Sequence, residues 1–172
     1  MPRNLEVKAK IASIPDCIAL AEALHAKHAG ILLQTDTYFN VTCGRLKLRE
    51  IHGIHSELIF YEREETSARR MSKFEQFPVS DPDRLKFLLT SACGVRGIVE
   101  KERILFLYDE TIRIHLDNVR NLGAFLEFEI PVSDFTDAEE QMEMLVRHFH
   151  IRRDDYVIKS YIDLIDESAE NR

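Results

Sequence analysis

Two carboxylates, Glu127 and Glu129, stand two residues apart in the apolar run Phe125-Leu126-Glu127-Phe128-Glu129-Ile130. Side chains two apart on an extended strand leave it on the same side, so this pair can converge on one hard divalent cation. Cations recur at the same spacing: Lys8 with Lys10, Lys47 with Arg49, Lys101 with Arg103, and Arg113 with His115 and Asp117 behind it. Arginine offers paired donors to phosphate oxygens, and lysine a compact point charge. Cations on repeated strand faces, with a few carboxylates at one end, are what a polyphosphate bridged by Mg²⁺ or Mn²⁺ requires. The chain has no Walker A loop and no dinucleotide-type glycine pattern, so side chains would have to hold the phosphates.

The elements that carry these residues read as strands. Leu5, Val7, Ala9 and Ile11 alternate with Glu6, Lys8 and Lys10. Gln34 to Asn40, Arg45 to Arg49, Leu58 to Arg63, Lys73 to Val79, Ile98 to Leu107, and the hairpin through Arg113 and Glu129 complete the set. Asn121 and Gly123 tolerate the positive φ that its turn demands. Ser13 and Asp16 start a helix that Gly30 would stop, and Asp81-Pro82 starts a second that Gly94 ends. Thr136 or Asp137 would cap a third helix. A fourth, from about Asp154, would carry Tyr156, Val157, Tyr161 and Leu164. The polar stretch Glu64 to Met71, with Arg69 and Arg70, reads as a solvated loop or a binding lid.

Taken alone, the last hairpin needs no ligand: an apolar buried face opposite a charged solvated one explains it. The same two-sidedness on many strands favours a curled sheet, with its charged face lining a cavity and helices covering the apolar face. The expectation is an α+β protein built on an antiparallel β-barrel of about eight strands with helices outside. One domain would cover residues 1–166, with a frayed tail at 167–172. Unrelieved repulsion among the enclosed cations predicts that Lys47→Ala or Arg49→Ala leaves the melting temperature of the empty protein unchanged or raised.

The formal net charge of −7 argues against a general nucleic-acid or anionic-membrane binder. No apolar run has the length of a membrane span, and the N-terminus lacks the apolar core of a secretory signal. Cys17, Cys43 and Cys93 are scattered and odd in number, which suggests a reducing, cytoplasmic setting without a disulfide framework.

The ordered set Leu5-Glu6-Val7-Lys8-Ala9-Lys10, Asp36-Thr37-Tyr38-Phe39, Arg45-Leu46-Lys47-Leu48-Arg49-Glu50 and Tyr61-Glu62-Arg63 resembles the CYTH superfamily of triphosphate tunnel metalloenzymes. Glu100-Lys101-Glu102-Arg103, Arg113 to Val119, Leu122 to Glu129 and Lys159-Ser160-Tyr161 extend the likeness over nearly the whole chain, toward the class IV adenylyl cyclase-like branch. The resemblance implies a barrel that forms a triphosphate tunnel. It implies Mg²⁺ or Mn²⁺ held by Glu6, Glu127 and Glu129, with Lys8, Lys47, Arg49, Arg63, Arg103 and His115 binding substrate. Lys10, Lys101 and Arg113 would serve the chemical step. The family signature Glu-x-Glu-x-Lys is broken here, because Lys8 stands where the second Glu belongs. His115 has two readings, a hydrogen bond inside the barrel or a substrate contact.

The implied function is a metal-dependent enzyme acting on a triphosphate, as a cyclase that turns ATP into cyclic AMP and pyrophosphate. A hydrolase of tripolyphosphate, thiamine triphosphate or another nucleotide is the alternative, and a non-catalytic polyphosphate-binding module the third. The expected partner is that small triphosphate, with no nucleic acid and no membrane, in a monomer or homodimer.

Overall fold

The structure is a computed structural model that describes residues 2–63, 67–133 and 137–170, without the side chains of Arg63 and Glu170. Eight antiparallel strands close into a barrel: β1 (Arg3–Lys10), β2 (Lys27–Phe39), β3 (Arg45–Ile51), β4 (His55–Arg63), β5 (Arg70–Val79), β6 (Val95–Tyr108), β7 (Ile112–Val119) and β8 (Gly123–Pro131). Around the barrel they run β1-β5-β4-β3-β2-β6-β7-β8, and β8 pairs back onto β1. Closure removes the unpaired edges that an open sheet would expose. The helices are α1 (Ile14–Ala23), α2 (Pro82–Cys93), α3 (Ala138–His148) and α4 (Tyr161–Glu170).

Alternation decides which side chains point where. Leu5 and Val7 of β1, Ile112, Ile114 and Leu116 of β7, and Leu126, Phe128 and Ile130 of β8 face outward. There they pack with Met142, Leu145 and Phe149 of α3 and with Cys17 and Ala21 of α1. Burying one such side chain is worth about 1.5–3 kcal/mol, so this sandwich anchors the β1-β8-β7 wall. On the opposite wall α2 lies against β2 and β3, and Ile31, Leu33 and Phe77 stay exposed. The turn between β7 and β8 has the positive φ expected of Asn121 and Gly123, at 66° and 92°.

Four expectations are corrected. The first helix ends at Ala23 with Leu24 as its cap, well before Gly30. His25 turns the chain at φ 57°, and Lys27 already begins β2, with a bulge between His28 and Gly30. The fifth strand starts at Arg70 instead of Lys73. Arg70, read as solvated, is 1 % exposed and donates to the carbonyls of Val157 and Ile158.

The last helix starts at Tyr161, not Asp154. A single 3₁₀ turn at Arg153–Asp155 precedes an extended segment in which Tyr156 bridges to Ala9 and Val157 N–H donates to Lys8 O. Those contacts with β1 satisfy backbone groups that a helix would have satisfied internally. The third helix does take Asp137 as its N-cap, as one of the two candidates, although the side chain makes no capping hydrogen bond; Thr136, the other candidate, lies outside the described residues.

The C-terminal helix fills one end of the barrel. Tyr161 and Ile162 pack with Tyr38, Tyr61, Val99, Val119 and Phe125, all buried. Asp163 fixes the helix in place, accepting from Arg45 at 2.8 Å and from Arg96 at 2.7 Å.

Candidate active site

Inside the barrel lies a cavity of about 370 Å³. Its floor is the tyrosine group Tyr38, Tyr61 and Tyr161, and its mouth is at the other end, by His55, Gln76, Arg113 and Glu129. Between them the charged strand faces line the space, with Leu32, Ile51, Ile59 and Leu105 among the apolar lining residues.

Strand register builds three charged groups. Asp36 of β2 stands directly opposite Arg49 of β3. Its carboxylate accepts from Arg49 Nε and Nη2, both at 2.8 Å, and from Lys47 Nζ at 3.0 Å, with Lys101 Nζ at 3.4 Å. Burial alone would raise this carboxyl, but the charges of Arg49, Lys101 and Lys47 outweigh it and hold it well below the usual range. Asp117 of β7 stands opposite Arg103 of β6. Arg103 grips it through Nε and Nη2, each at 2.6 Å, and Tyr161 OH donates to it at 2.8 Å. Burial works against that carboxyl too, and Arg103 brings it down to about 2.

The third group is on the β7–β8 wall, nearer the mouth. His115 faces Glu127, and Arg113 faces Glu129. Arg113 Nε donates to Glu129 Oε2 at 2.8 Å, and Arg103 Nη2 to Glu127 Oε2 at 3.1 Å. Lys8 Nζ lies 3.8 Å from Glu127 Oε1 and 3.9 Å from the centre of the Tyr161 ring. Among the described residues, one set of three possible metal ligands has its donor atoms within 4.8 Å of one another: His115, Glu127 and Glu129. Burial, then the charge of Arg103, lowers the His115 pKa, so the ring is neutral at pH 7.

The expected residues are thus brought together unequally. Lys8, Lys47, Arg49, Lys101, Arg103, Arg113, His115, Glu127, Glu129 and Glu6 all line the cavity. Glu6 is opposite Glu129 across β1 and β8, outside that set of three. Lys10 is beyond the floor, with Nζ on Leu122 O and over the Phe125 ring. The side chain of Arg63 is outside the described residues. Asp36 and Tyr161 were given no role in the sequence reading, and Asp117 only a place among the charged faces.

Lys47, Arg49, Lys101, Arg103 and Arg113 each have a carboxylate within 3.4 Å. The expectation of unrelieved repulsion between cations therefore fails: the interior is a lattice of ion pairs. Lys101 is the exception in degree. Burial, opposed only in part by Asp36, takes its pKa from the usual 10.5 to about 7. Between those values the unfolded chain holds a proton that the folded chain lacks, so Lys101 makes folding more favourable as pH rises from about 7 toward 10. Lys101→Met is expected to flatten that part of the stability–pH curve, measured by chemical denaturation at several pH values.

The closed eight-stranded antiparallel barrel with its helices outside matches the CYTH tunnel fold. The CYTH domain model matches residues 2–161, and the chain belongs to the CYTH family. Members of this family are enzymes, cyclases and triphosphatases, and they depend on a metal ion. A candidate adenylate cyclase of Methanocaldococcus jannaschii is 24% identical over 94% of this chain and 97% of its own length. The PH1012 protein of Pyrococcus horikoshii superposes with a TM-score of 0.85 at 26% identity, covering 94% of this chain and 98% of that one. An adenylyl cyclase candidate from Hippeastrum with a dominant triphosphatase activity superposes with a TM-score of 0.72 at 14% identity, over 98% and 96% of the two chains. No described helix is long and apolar enough to cross a membrane.

Proposed function

We propose that the cavity binds a nucleoside triphosphate, terminal phosphate first, and converts ATP to cyclic AMP and pyrophosphate. One observation carries this reading: Lys47, Arg49, Lys101 and Arg103 are deep, while the cluster that could hold a divalent ion is toward the mouth. Lys47, Arg49, Lys101 and Arg103 would hold the β- and γ-phosphates as the leaving pyrophosphate. The α-phosphorus would then lie by His115, Glu127 and Glu129, within reach of a ribose hydroxyl at the mouth.

The carboxylates of Glu127 and Glu129 would suit Mg²⁺ or Mn²⁺, since they converge at one place on the β7–β8 wall. When bound, the ion would neutralise charge on phosphate oxygens and favour ionisation of the attacking hydroxyl. This chain's own part is orientation and charge. Arg103 and Lys8 hold Glu127, Arg113 holds Glu129, and the guanidinium groups stabilise the charge that develops on pyrophosphate. The tyrosine floor keeps water from the terminal phosphate.

Hydrolysis of the terminal phosphate is the second reading, for tripolyphosphate, thiamine triphosphate or a nucleotide. Lys101, deep and half-neutral near pH 7, favours it, because a neutral amine there could take a proton from water. Chromatography of the products from ATP and from tripolyphosphate, each with Mg²⁺ or Mn²⁺, tests both. Cyclic AMP and pyrophosphate are expected from ATP. ADP with phosphate would give the second reading precedence, and no turnover of any triphosphate would leave only binding.

A further inference from the structure

We propose that His115 is itself a metal ligand, so that His115, Glu127 and Glu129 form a mixed nitrogen and oxygen site that prefers a first-row transition ion to Mg²⁺. The proposal deepens the metal-assisted reading above and rests on it only in taking the bound ion to be the one used in turnover.

The starting point is an orphaned atom. His115 is 4 % exposed, and its Nδ1 has no hydrogen-bond partner. Buried polar nitrogens are almost always satisfied, and leaving one unmade costs free energy. Nδ1 points at two carboxylates, 3.6 Å from Glu129 Oε1 and 4.0 Å from Glu127 Oε2. Those separations are too long for hydrogen bonds. They suit ligands of one ion: donors bound at about 2.1 Å lie about 3 Å apart when adjacent and about 4.2 Å apart when opposite.

The surroundings already hold the ligands in orientation. Glu129 gives its other oxygen, Oε2, to Arg113. Glu127 is held by Arg103 on one oxygen and faces Lys8 with the other. Partners of this kind fix the direction of ligating groups and tune their basicity. Cross-strand register brings His115 and Glu127 face to face, so little rearrangement is needed.

The chemical class follows from the donors. Mg²⁺ demands an octahedron of hard oxygens, and here Lys8, its Nζ 3.8 Å from Glu127 Oε1, puts a cation beside the site where a further oxygen would have to stand. An imidazole instead suits ions to the right of Mg²⁺ in softness, with affinity rising from Mn²⁺ through Co²⁺ and Ni²⁺. The one nitrogen among the three donors thus shifts the preference away from Mg²⁺.

Metal-free protein loaded with Mn²⁺ alone, without any triphosphate, tests this. Electron spin-echo modulation is expected to show a directly bonded ¹⁴N in the wild type and none in His115→Gln. The ratio of Mn²⁺ to Mg²⁺ affinity, from competition, is expected to fall about tenfold or more in that variant. If His115→Gln fails to fold, wild-type protein labelled with ¹⁵N-histidine decides, since the modulation must change isotope. Bound Mn²⁺ without nitrogen coupling, an unchanged affinity ratio, or no retained Mn²⁺ overturns the proposal. Turnover of triphosphates with a nitrogen-free Mn²⁺ site would sink the ligand and keep the enzyme; nitrogen-coordinated Mn²⁺ without turnover would do the reverse.

Discussion

Asp36→Asn is expected to lower stability by about 3–5 kcal/mol, the range for removing one partner of a buried ion pair. At this chain length that is a fall in melting temperature of roughly 10 °C. Asp36 is fully buried and is the shared acceptor for Arg49, Lys47 and Lys101. Without its charge, three cations are left facing one another. Lys101 sheds its proton easily, which keeps the loss toward the lower figure. Arg49→Ala acts on the same group from the other side. It takes two hydrogen bonds from a carboxylate that cannot reach water, so the melting temperature of the empty protein falls where repulsion alone would have raised it.

Adding tripolyphosphate separates a binding site from mere scaffolding. In Asp36→Asn the anion restores the missing negative charge, so its stabilising shift should exceed that in the wild type. In Arg49→Ala the shift should shrink, because a charge-assisted contact worth roughly 1.5–3 kcal/mol is gone. Thermal melts of both variants with and without tripolyphosphate read this directly. Equal shifts in all three proteins would mean that the ion pairs are structural only.

The second large effect concerns the carboxylates. Glu127→Gln combined with Glu129→Gln is expected to cut metal-dependent turnover by more than about 100-fold, since a metal ion contributes several kcal/mol to the barrier at about 1.4 kcal/mol per factor of ten. The fold should survive, because Arg103 keeps both of its bonds to Asp117 and the outward face of β8 is untouched. Turnover at sub-saturating Mn²⁺, beside a circular dichroism melt, is the measurement. Normal activity would transfer the metal to other ligands, with Glu6 the first to examine.

Lys47, Arg49, Lys101, Arg103, Glu127 and Glu129 were legible because alternation has a period of two, and no other structure gives that period. What alternation cannot give is register. Asp36 sits alone among β-branched and aromatic neighbours, and its importance appears only once β2 lies against β3 and β6. His115 likewise needed β8 beside it before it could be grouped with Glu127 and Glu129. Arg70 resembled a solvated charge because its partners, the carbonyls of Val157 and Ile158, are distant in sequence and have no side-chain signature. Tyr156, Val157, Tyr161 and Leu164 had helical spacing, yet the first two join β1 instead, a tertiary choice that local pattern does not encode.

With α4 seated across one end, the described residues form a cul-de-sac whose doorway is at the other. Whatever enters last must leave first. In the proposed orientation a substrate would be read from its free end, and the distance from tyrosine floor to doorway would set how many phosphates are counted before the reacting bond. An interior link of a long polyphosphate would not reach that position, since α4 fills the far end among the described residues. Under the proposed cyclisation the same geometry orders departure: the cyclic nucleotide would have to clear the doorway before the pyrophosphate behind it could follow.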